Sequence, residues 1–332
     1  MSRKKLLFIR AIREEGMRIA RERDDVEVAV TDHIAGEGLR EAIRDAHGIL
    51  VRTAVIDREI IGAAPRLEVV SRHGVGYDAV DVEALTTRGI PLTITPGANA
   101  VSVAEHAMFQ MLALAKRCDE HSRGVREGRF DALRGTMLSR DVDAKTLLIL
   151  GFGRIGSLVA PRARSFGMRV LACDPYIDAA VIEAAGCEPV TDFHAVLPEV
   201  DVVTVHTPLT DETRGIIGAV ELAAMKSSAL VLNTARGGIV DEDALADALS
   251  RGAIAGAGID VFDCEPAPPD TAHPLFQCDN VIFSPHCAGV SQEAGIRMGV
   301  MAVQNILDAF DGKLSPEVVV NKDVLAGALE RV

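Results

Sequence analysis

The feature that most constrains this chain is the run Gly151-Phe152-Gly153-Arg154-Ile155-Gly156. A G-x-G-x-x-G pattern alone says little. Here it directly follows the apolar segment Thr146–Leu150 and opens a helical stretch that runs through Phe166. Gly167 breaks that helix and Met168–Cys173 reads as the next strand. Asp174 ends it, about 20 residues beyond the glycines. Strand, glycine turn, helix, strand and terminal acid together form the context of a dinucleotide-binding turn. Gly151 is expected to permit the tight turn, Gly153 to let the backbone approach a pyrophosphate, and Gly156 to let the helix pack against the strand. The helix N-terminus then offers unpaired N–H groups and the positive end of its dipole to the phosphates, with Arg154 flanking them. Asp174 can accept hydrogen bonds from both ribose hydroxyls and would repel a 2′-phosphate. Pro175-Tyr176-Ile177 provide no arginine to receive one, so NAD is expected over NADP.

The same alternation runs along the chain. Strand candidates in the first part are Leu6–Ile9, Val26–Val30, Gly48–Arg52, Leu67–Ser71 and Pro91–Ile94, separated by amphipathic helical patterns. A second series begins at Thr146 and continues with Val170–Cys173, Val202–His206, Leu230–Asn233, Ala255–Asp260 and Val281–Ser284. Between the series lies a long helix, about residues 101 to 117, whose apolar positions cover much of its circumference and predict burial on several sides. A last amphipathic helix covers about residues 293 to 310. Strands alternating with helices imply mostly parallel sheets covered on both faces, an α/β fold. The 332 residues suit two domains.

Composition narrows the function. A net charge of -13 disfavours nucleic acid as a partner, since phosphate backbones are bound by a surplus of Lys and Arg. No run of about 20 apolar residues is present, so no membrane span is expected, and the apolar start after Lys5 is too short for a signal peptide. The six cysteines have no paired spacing and read as reduced, cytoplasmic thiols rather than disulfides or metal ligands; no metal is expected. The Pro-rich stretch Glu265–Pro269 reads as a short rigid loop.

Three ionisable residues follow late strands: Arg236 in Asn233-Thr234-Ala235-Arg236-Gly237-Gly238, Glu265 in Asp263-Cys264-Glu265-Pro266, and His286 in Ser284-Pro285-His286-Cys287-Ala288-Gly289. Ligands of open α/β sheets bind outside the carboxyl ends of the strands, which places all three to converge on a bound nicotinamide. Singly, each has an ordinary alternative as a surface charge or a turn residue. Behind one dinucleotide turn they read as a set.

Together with Ser71-Arg72-His73-Gly74-Val75-Gly76-Tyr77-Asp78 and Asn99-Ala100-Val101-Ser102-Val103-Ala104-Glu105-His106, these segments resemble the D-isomer-specific 2-hydroxyacid dehydrogenase family over nearly the whole chain. The resemblance is to the branch with D-3-phosphoglycerate dehydrogenase and the hydroxypyruvate and glyoxylate reductases. It implies two Rossmann-like domains of doubly wound parallel sheet, with the cofactor domain (100–287) inserted in a discontinuous substrate domain (1–99 and 288–332). The active site would lie in the cleft. It further implies that His286 exchanges the proton of the C2 oxygen and that Glu265 orients the imidazole and stabilises its charged form. Arg236 would grip the substrate carboxylate and carbonyl oxygen. By the same resemblance Asp260 would hold the nicotinamide carboxamide. Ile155, His206, Thr207, Pro208, Thr234, Ala235 and Gly289 would line the cofactor, and the turn His73-Gly74-Val75-Gly76 would clamp the substrate carboxylate. A homodimer is expected from the family and the long apolar helix. Cys264 and Cys287 depart from the commonest pattern and read as small buried residues rather than nucleophiles.

The resemblance leaves the substrate open. Arg72 matches the position of a phosphate-contacting arginine in phosphoglycerate dehydrogenases, and Arg52 follows a neighbouring strand. Two such charges suit a small 2-hydroxy or 2-keto acid with a second anion. A chain ending at Val332 is expected to lack the serine feedback of longer phosphoglycerate dehydrogenases. The rival readings are an NADPH-preferring hydroxypyruvate/glyoxylate reductase, against which Asp174 speaks, and an NADH-binding corepressor-like protein that works by recruiting peptides, against which the presence of all three ionisable groups speaks. A formate dehydrogenase would not need the His286–Glu265 pair.

Overall fold

The computed structural model of the protein describes residues 3–136, 139–265 and 267–325. Met1, Ser2, Val332 and, in the Pro-rich loop, Pro266 lie outside the described residues. The chain divides into two compact units, residues 1–99 with 290–332, and residues 100–289.

In the first unit β1 (Lys4–Ile9), β2 (Val26–Thr31), β3 (Gly48–Val51), β4 (Val69–Arg72) and β5 (Leu92–Thr93) form one sheet in the order β2-β1-β3-β4-β5. Every pairing in it is parallel. Side chains alternate across a strand, so neighbours enter different cores. Leu7, Ile49 and Val70 pack on one face, and Leu6, Phe8, Leu50 and Val69 on the other. The second face is covered by the helices Glu14–Arg21 and Gln292–Phe310. These two helices cross at glycines: a Cβ on Gly16 would lie 2.9 Å from the carbonyl carbon of Gly299. The C-terminal segment is thus part of this unit's core rather than an appendage.

The second unit holds β6 (Thr146–Leu150), β7 (Arg169–Cys173), β8 (Glu188–Pro189), β9 (Val202–Val205), β10 (Leu230–Asn233), β11 (Gly256–Ile259) and β12 (Val281–Phe283). Their order is β12-β11-β10-β9-β6-β7-β8, again parallel throughout. The direction of winding reverses between β6 and β9. That is the topological switch point, where the carboxyl ends of adjacent strands leave a crevice for ligand. Leu147 and Ile149 face the helices Ala100–Ala115 and Gly156–Ser165, while Leu148 and Leu150 enter the opposite core.

Thr146–Leu150 and Leu230–Asn233 form where the sequence predicts them. Leu67–Ser71 is displaced: the N–H groups of Glu68 and Val69 both bond to the carbonyl of His47, and the strand proper begins at Val69. The helix expected over 101–117 runs Ala100–Ala115 and is buried along most of its length, with Phe109 left 52% exposed. The helices Cys118–Arg126 and Phe130–Arg134 and the short β8 were not anticipated. No helix among the described residues is long and apolar enough to cross a membrane.

Candidate active site

Six strand ends of the second sheet bring the expected residues to one edge. Read from β7 through β6 and β9 to β12, they carry Asp174, the glycine turn, His206-Thr207, Thr234–Arg236, Asp260–Glu265 and His286.

The glycine turn is shaped by its own backbone. Gly151 has φ 92°, a left-handed conformation that suits glycine, and a Cβ on it would lie 2.8 Å from the His206 carbonyl. A Cβ on Gly156 would lie 2.1 Å from the carbonyl oxygen of Gly151 and 3.0 Å from Ile149 Cγ2. The helix therefore closes on the turn itself as well as on the strand. Gly153 differs: a Cβ there meets nothing within 4 Å. The protein needs no glycine at 153 for its own packing, and the open space suits a phosphate. Arg154 is exposed beside it, and Ile155 is half-buried at the helix start.

Asp174 Oδ2 accepts from the N–H of Phe152 (2.8 Å) and Oδ1 from that of Tyr176 (2.9 Å). A carboxylate oxygen has two acceptor positions, so one remains on each, matching the two hydroxyls of a ribose. Buried polar atoms without partners also lie along this edge: His206 Nδ1, Thr207 Oγ1 and Thr234 Oγ1. Burial pushes the His206 imidazole down to about 3, so the ring is neutral. Orphaned polar atoms in a buried strip usually have a ligand or water to satisfy them. An adenine dinucleotide fits this set. Pro208 is exposed, and its carbonyl accepts from Thr213.

The loop after β10 is held by Asn233, which sequence reasoning missed. Its side chain accepts from Ala235 N–H (3.1 Å) and donates to the Arg236 carbonyl (2.8 Å), fixing the loop from inside. The Arg236 guanidinium donates to the Ala235 carbonyl (2.7 Å). Gly237 brings this loop against the next: a Cβ there would lie 2.1 Å from the carbonyl carbon of Phe262. Glu265 follows at once, with Oε1 accepting from Phe262 N–H (2.9 Å) and Oε2 hydrogen-bonded to His286 Nδ1. The imidazole is half exposed, and the carboxylate holds its Nδ1 edge.

Asp260 is 1% exposed and anchors the His286 loop. Oδ1 accepts from Ser284 Oγ–H and Cys287 N–H (2.9 Å), and Oδ2 from Ala288 N–H (2.9 Å), next to Gly289. A single acceptor position, on Oδ2, remains for the expected nicotinamide carboxamide. Ser284 Oγ is also 2.9 Å from Nε2 of His106, on the helix Ala100–Ala115. Burial pushes the His106 imidazole down, partly opposed by Asp260. No strand-end pattern marks His106, whose only sequence signal is its place in the Asn99–His106 segment.

In the first unit, Arg52 follows β3 and is exposed, and Arg72 ends β4. Arg72 Nη1 donates to the His73 carbonyl (3.1 Å), and Gly74 turns at φ 142°. His73 is buried, with Gly74, Val75 and Gly76 following in the turn. Burial, then Arg52 and Arg72, push its imidazole down to about 4. The two arginines and the turn thus form one electropositive corner.

The thiols do not read as nucleophiles, though not for the expected reason. Cys264 is exposed rather than buried, because its loop has left the sheet. Partial desolvation and nearby carboxylates, Glu242 for Cys264 and Asp260 for Cys287, push both thiols up, away from the reactive thiolate.

Comparison with known proteins follows the same lines. Residues 108–288 match the D-isomer specific 2-hydroxyacid dehydrogenase, NAD binding domain. D-3-phosphoglycerate dehydrogenase of Methanocaldococcus jannaschii is 39% identical over 316 residues, 95% of this chain and 59% of that one. The chain thus spans under two thirds of that relative. Glyoxylate reductase of Korarchaeum cryptofilum is 41% identical over 288 residues, 86% of each chain. The crystal structure of TT0316 protein from Thermus thermophilus superposes with a TM-score of 0.85 at 36% identity, covering 95% of this chain and 99% of that one. The dinucleotide edge lies within the matched domain, and the chain belongs to the D-isomer-specific 2-hydroxyacid dehydrogenase family.

Proposed function

We propose that the protein is an NAD-dependent D-2-hydroxyacid dehydrogenase, reducing a small anionic 2-keto acid or oxidising the matching hydroxy acid, in the manner of phosphoglycerate dehydrogenase. What carries this reading is the pairing of His286 with Glu265 at the edge that also holds the dinucleotide turn. Gly151, Gly153, Gly156 and Asp174 would hold the pyrophosphate and ribose. Thr207, Thr234 and the open position on Asp260 would meet the rest of the cofactor. The bound nicotinamide supplies or accepts the hydride at C2. In reduction His286 gives its Nε2 proton to the carbonyl oxygen, and in oxidation it takes that proton back. Glu265 keeps the Nδ1 edge engaged, which fixes the ring's aim and stabilises the imidazolium when it forms. Arg236 polarises the carbonyl with its fork of donors. The N–H groups of the turn 73–76 would take the substrate carboxylate.

Arg52 and Arg72 support a second anion on the substrate, the position a phosphate takes in 3-phosphoglycerate. The name of the Korarchaeum relative supports a glyoxylate reductase as the second reading. The two free acceptor positions on Asp174 support NAD over NADP. Exposed Phe109, Val125, Phe130 and Phe166 on the second unit support a homodimer, which sedimentation at the monomer mass would refute. Six unpaired thiols support the reducing cytoplasm.

The test is NADH oxidation by the purified protein with phosphohydroxypyruvate, hydroxypyruvate, glyoxylate, a sulfonated keto acid and pyruvate, with NADPH in parallel. Preference for a doubly anionic substrate is expected; preference for glyoxylate or hydroxypyruvate would make Arg72 a bystander. NADH binding without turnover of any keto acid, with capture of a peptide, would replace the enzyme reading by the corepressor-like one. His286→Ala is expected to lower turnover by about 10²- to 10⁴-fold while NADH binding stays. Near-native activity in that variant would sink the assignment.

A further inference from the structure

The backbone donors of the His286 loop are held at the end of β11. The N–H of Ser284 donates to the Ile259 carbonyl (2.9 Å) and that of His286 to the Asp260 carbonyl (2.7 Å). The N–H groups of Cys287 and Ala288 donate to the Asp260 carboxylate. Pro285 has no N–H. Every backbone donor from 284 to 288 therefore reaches the last residue of β11 or the residue that follows it, with the His286 N–H also shared with the Ser284 carbonyl (3.1 Å). The loop also holds His286 at φ 51°, a left-handed conformation that a histidine adopts only when its surroundings impose it. Two of these bonds end on the Asp260 carboxylate, so the direction of the imidazole, whose Nδ1 edge Glu265 holds, also depends on how firmly that carboxylate is held.

Two side chains hold it. A carboxylate only accepts, so the Ser284 hydroxyl must donate to Asp260 Oδ1. The Ser284 oxygen then accepts from His106, which fixes the histidine as the tautomer with its proton on Nε2. His106 Nε2 is itself 4.0 Å from Asp260 Oδ1. The line His106, Ser284, Asp260 ties the helix Ala100–Ala115 to the loop after β12, across 178 residues of sequence. None of these atoms is the proton donor to the substrate, but the last of them is what the donor's backbone hangs from.

We infer that His106 and Ser284 are positioning residues for His286, acting through the Asp260 carboxylate. The inference rests on the reading of His286 as the proton donor. Removing the Ser284 hydroxyl leaves Oδ1 with Cys287 N–H alone and frees the carboxylate to rotate, and the loop and imidazole follow it. Loss of aim reaches the proton transfer and not the grip on substrate, which the proposed function assigns to Arg236.

The experiment is steady-state kinetics on the intact protein with NADH and the best keto acid of the panel. The variants are Ser284→Ala, Ser284→Thr, His106→Ala, His106→Gln and His286→Ala, each also measured for NADH affinity and thermal midpoint. Ser284→Ala and His106→Ala are expected to lower kcat by about 10- to 100-fold, the scale on which small misplacements act. KM for the keto acid should stay within about threefold, as for an interaction made in the transition state, while the NADH Kd rises by less than about tenfold through the nicotinamide position on the same carboxylate. Ser284→Thr restores the hydroxyl and His106→Gln an N–H donor, so both should recover most of the lost kcat. If both alanine variants keep parental kcat while His286→Ala is inactive, the inference falls and the acid–base reading stands. If His286→Ala is itself active, that reading falls and takes the inference with it. A joint fall of kcat, substrate and NADH binding and thermal midpoint, unrelieved by the conservative variants, would mean that the line only holds the fold, and would also overturn the inference. Should Ser284→Ala fail to fold, the His106 pair decides on the same readouts.

Discussion

Gly153→Ala and Gly156→Ala make the same chemical change three residues apart and should fail for opposite reasons. At 153 a methyl group meets no protein atom within 4 Å, and the residue is not among those with positive φ. Alanine there is compatible with the fold and should stabilise the free protein by about 0.4–1 kcal/mol through the unfolded chain. The same methyl occupies the space assigned to the pyrophosphate. Losing one backbone hydrogen bond to a charged phosphate costs about 1.5–3 kcal/mol, so the NADH Kd should rise about 10- to 150-fold. At 156 the methyl lies 2.1 Å from the Gly151 carbonyl oxygen, a backbone atom that cannot rotate away. The helix must move by more than 1 Å or the turn must open, an overpacking cost of about 1–3 kcal/mol. For a unit of this size that lowers the thermal midpoint by roughly 2–12 °C without any ligand. The assay is thermal unfolding of both variants without cofactor, followed by fluorescence titration with NADH. A Gly153→Ala protein that binds NADH as tightly as its parent would refute the placement of the phosphates. One that unfolds as early as Gly156→Ala would refute the packing argument.

Replacing Asp174 by Ala or Ser should narrow the preference for NADH over NADPH. It should also weaken NADH, since the Phe152 N–H loses the acceptor that ties β7 to the turn; an unchanged ratio in a binding titration would show that the ribose is read elsewhere. His73 gives a stability prediction with a definite sign. Its folded value of about 4 lies below the ordinary 6.5, so the unfolded chain takes up the proton first. Its contribution is complete above pH 6.5 and is lost as pH falls to about 4, by about 3 kcal/mol. Denaturant midpoints between pH 7 and 4.5 should fall less steeply in His73→Gln than in the parent, and parallel curves would count against the buried neutral imidazole.

What the sequence made legible follows from where information is local. Gly151–Gly156, Asp174, Arg236, Glu265 and His286 each stand just after a β-rich run, and a parallel sheet delivers all such residues to one edge whatever lies between them. The helix Cys118–Arg126 could not be read that way. It buries only Gly124, where a Cβ would lie 2.1 Å from Leu133 Cδ1, so the close packing that shapes it leaves no apolar stripe in the sequence. The supports of the candidate site were hidden for a different reason. Asn233 and Asp260 act by accounting for backbone N–H and C=O groups of loops, and Ser284 by donating to the Asp260 carboxylate; those contacts exist only once the strands are side by side. His286 shows the consequence. Its left-handed backbone costs about 1–2 kcal/mol against an ordinary conformation, and nothing in Ser284-Pro285-His286-Cys287 announces it. Four N–H groups ending on Ile259 and Asp260, each bond contributing about 0.5–1.5 kcal/mol, are enough to hold the loop in that conformation. A strained loop held by so few bonds shifts when its anchor loosens, which is why a serine two residues before the histidine and a helix residue 180 positions away from it can bear on one proton transfer.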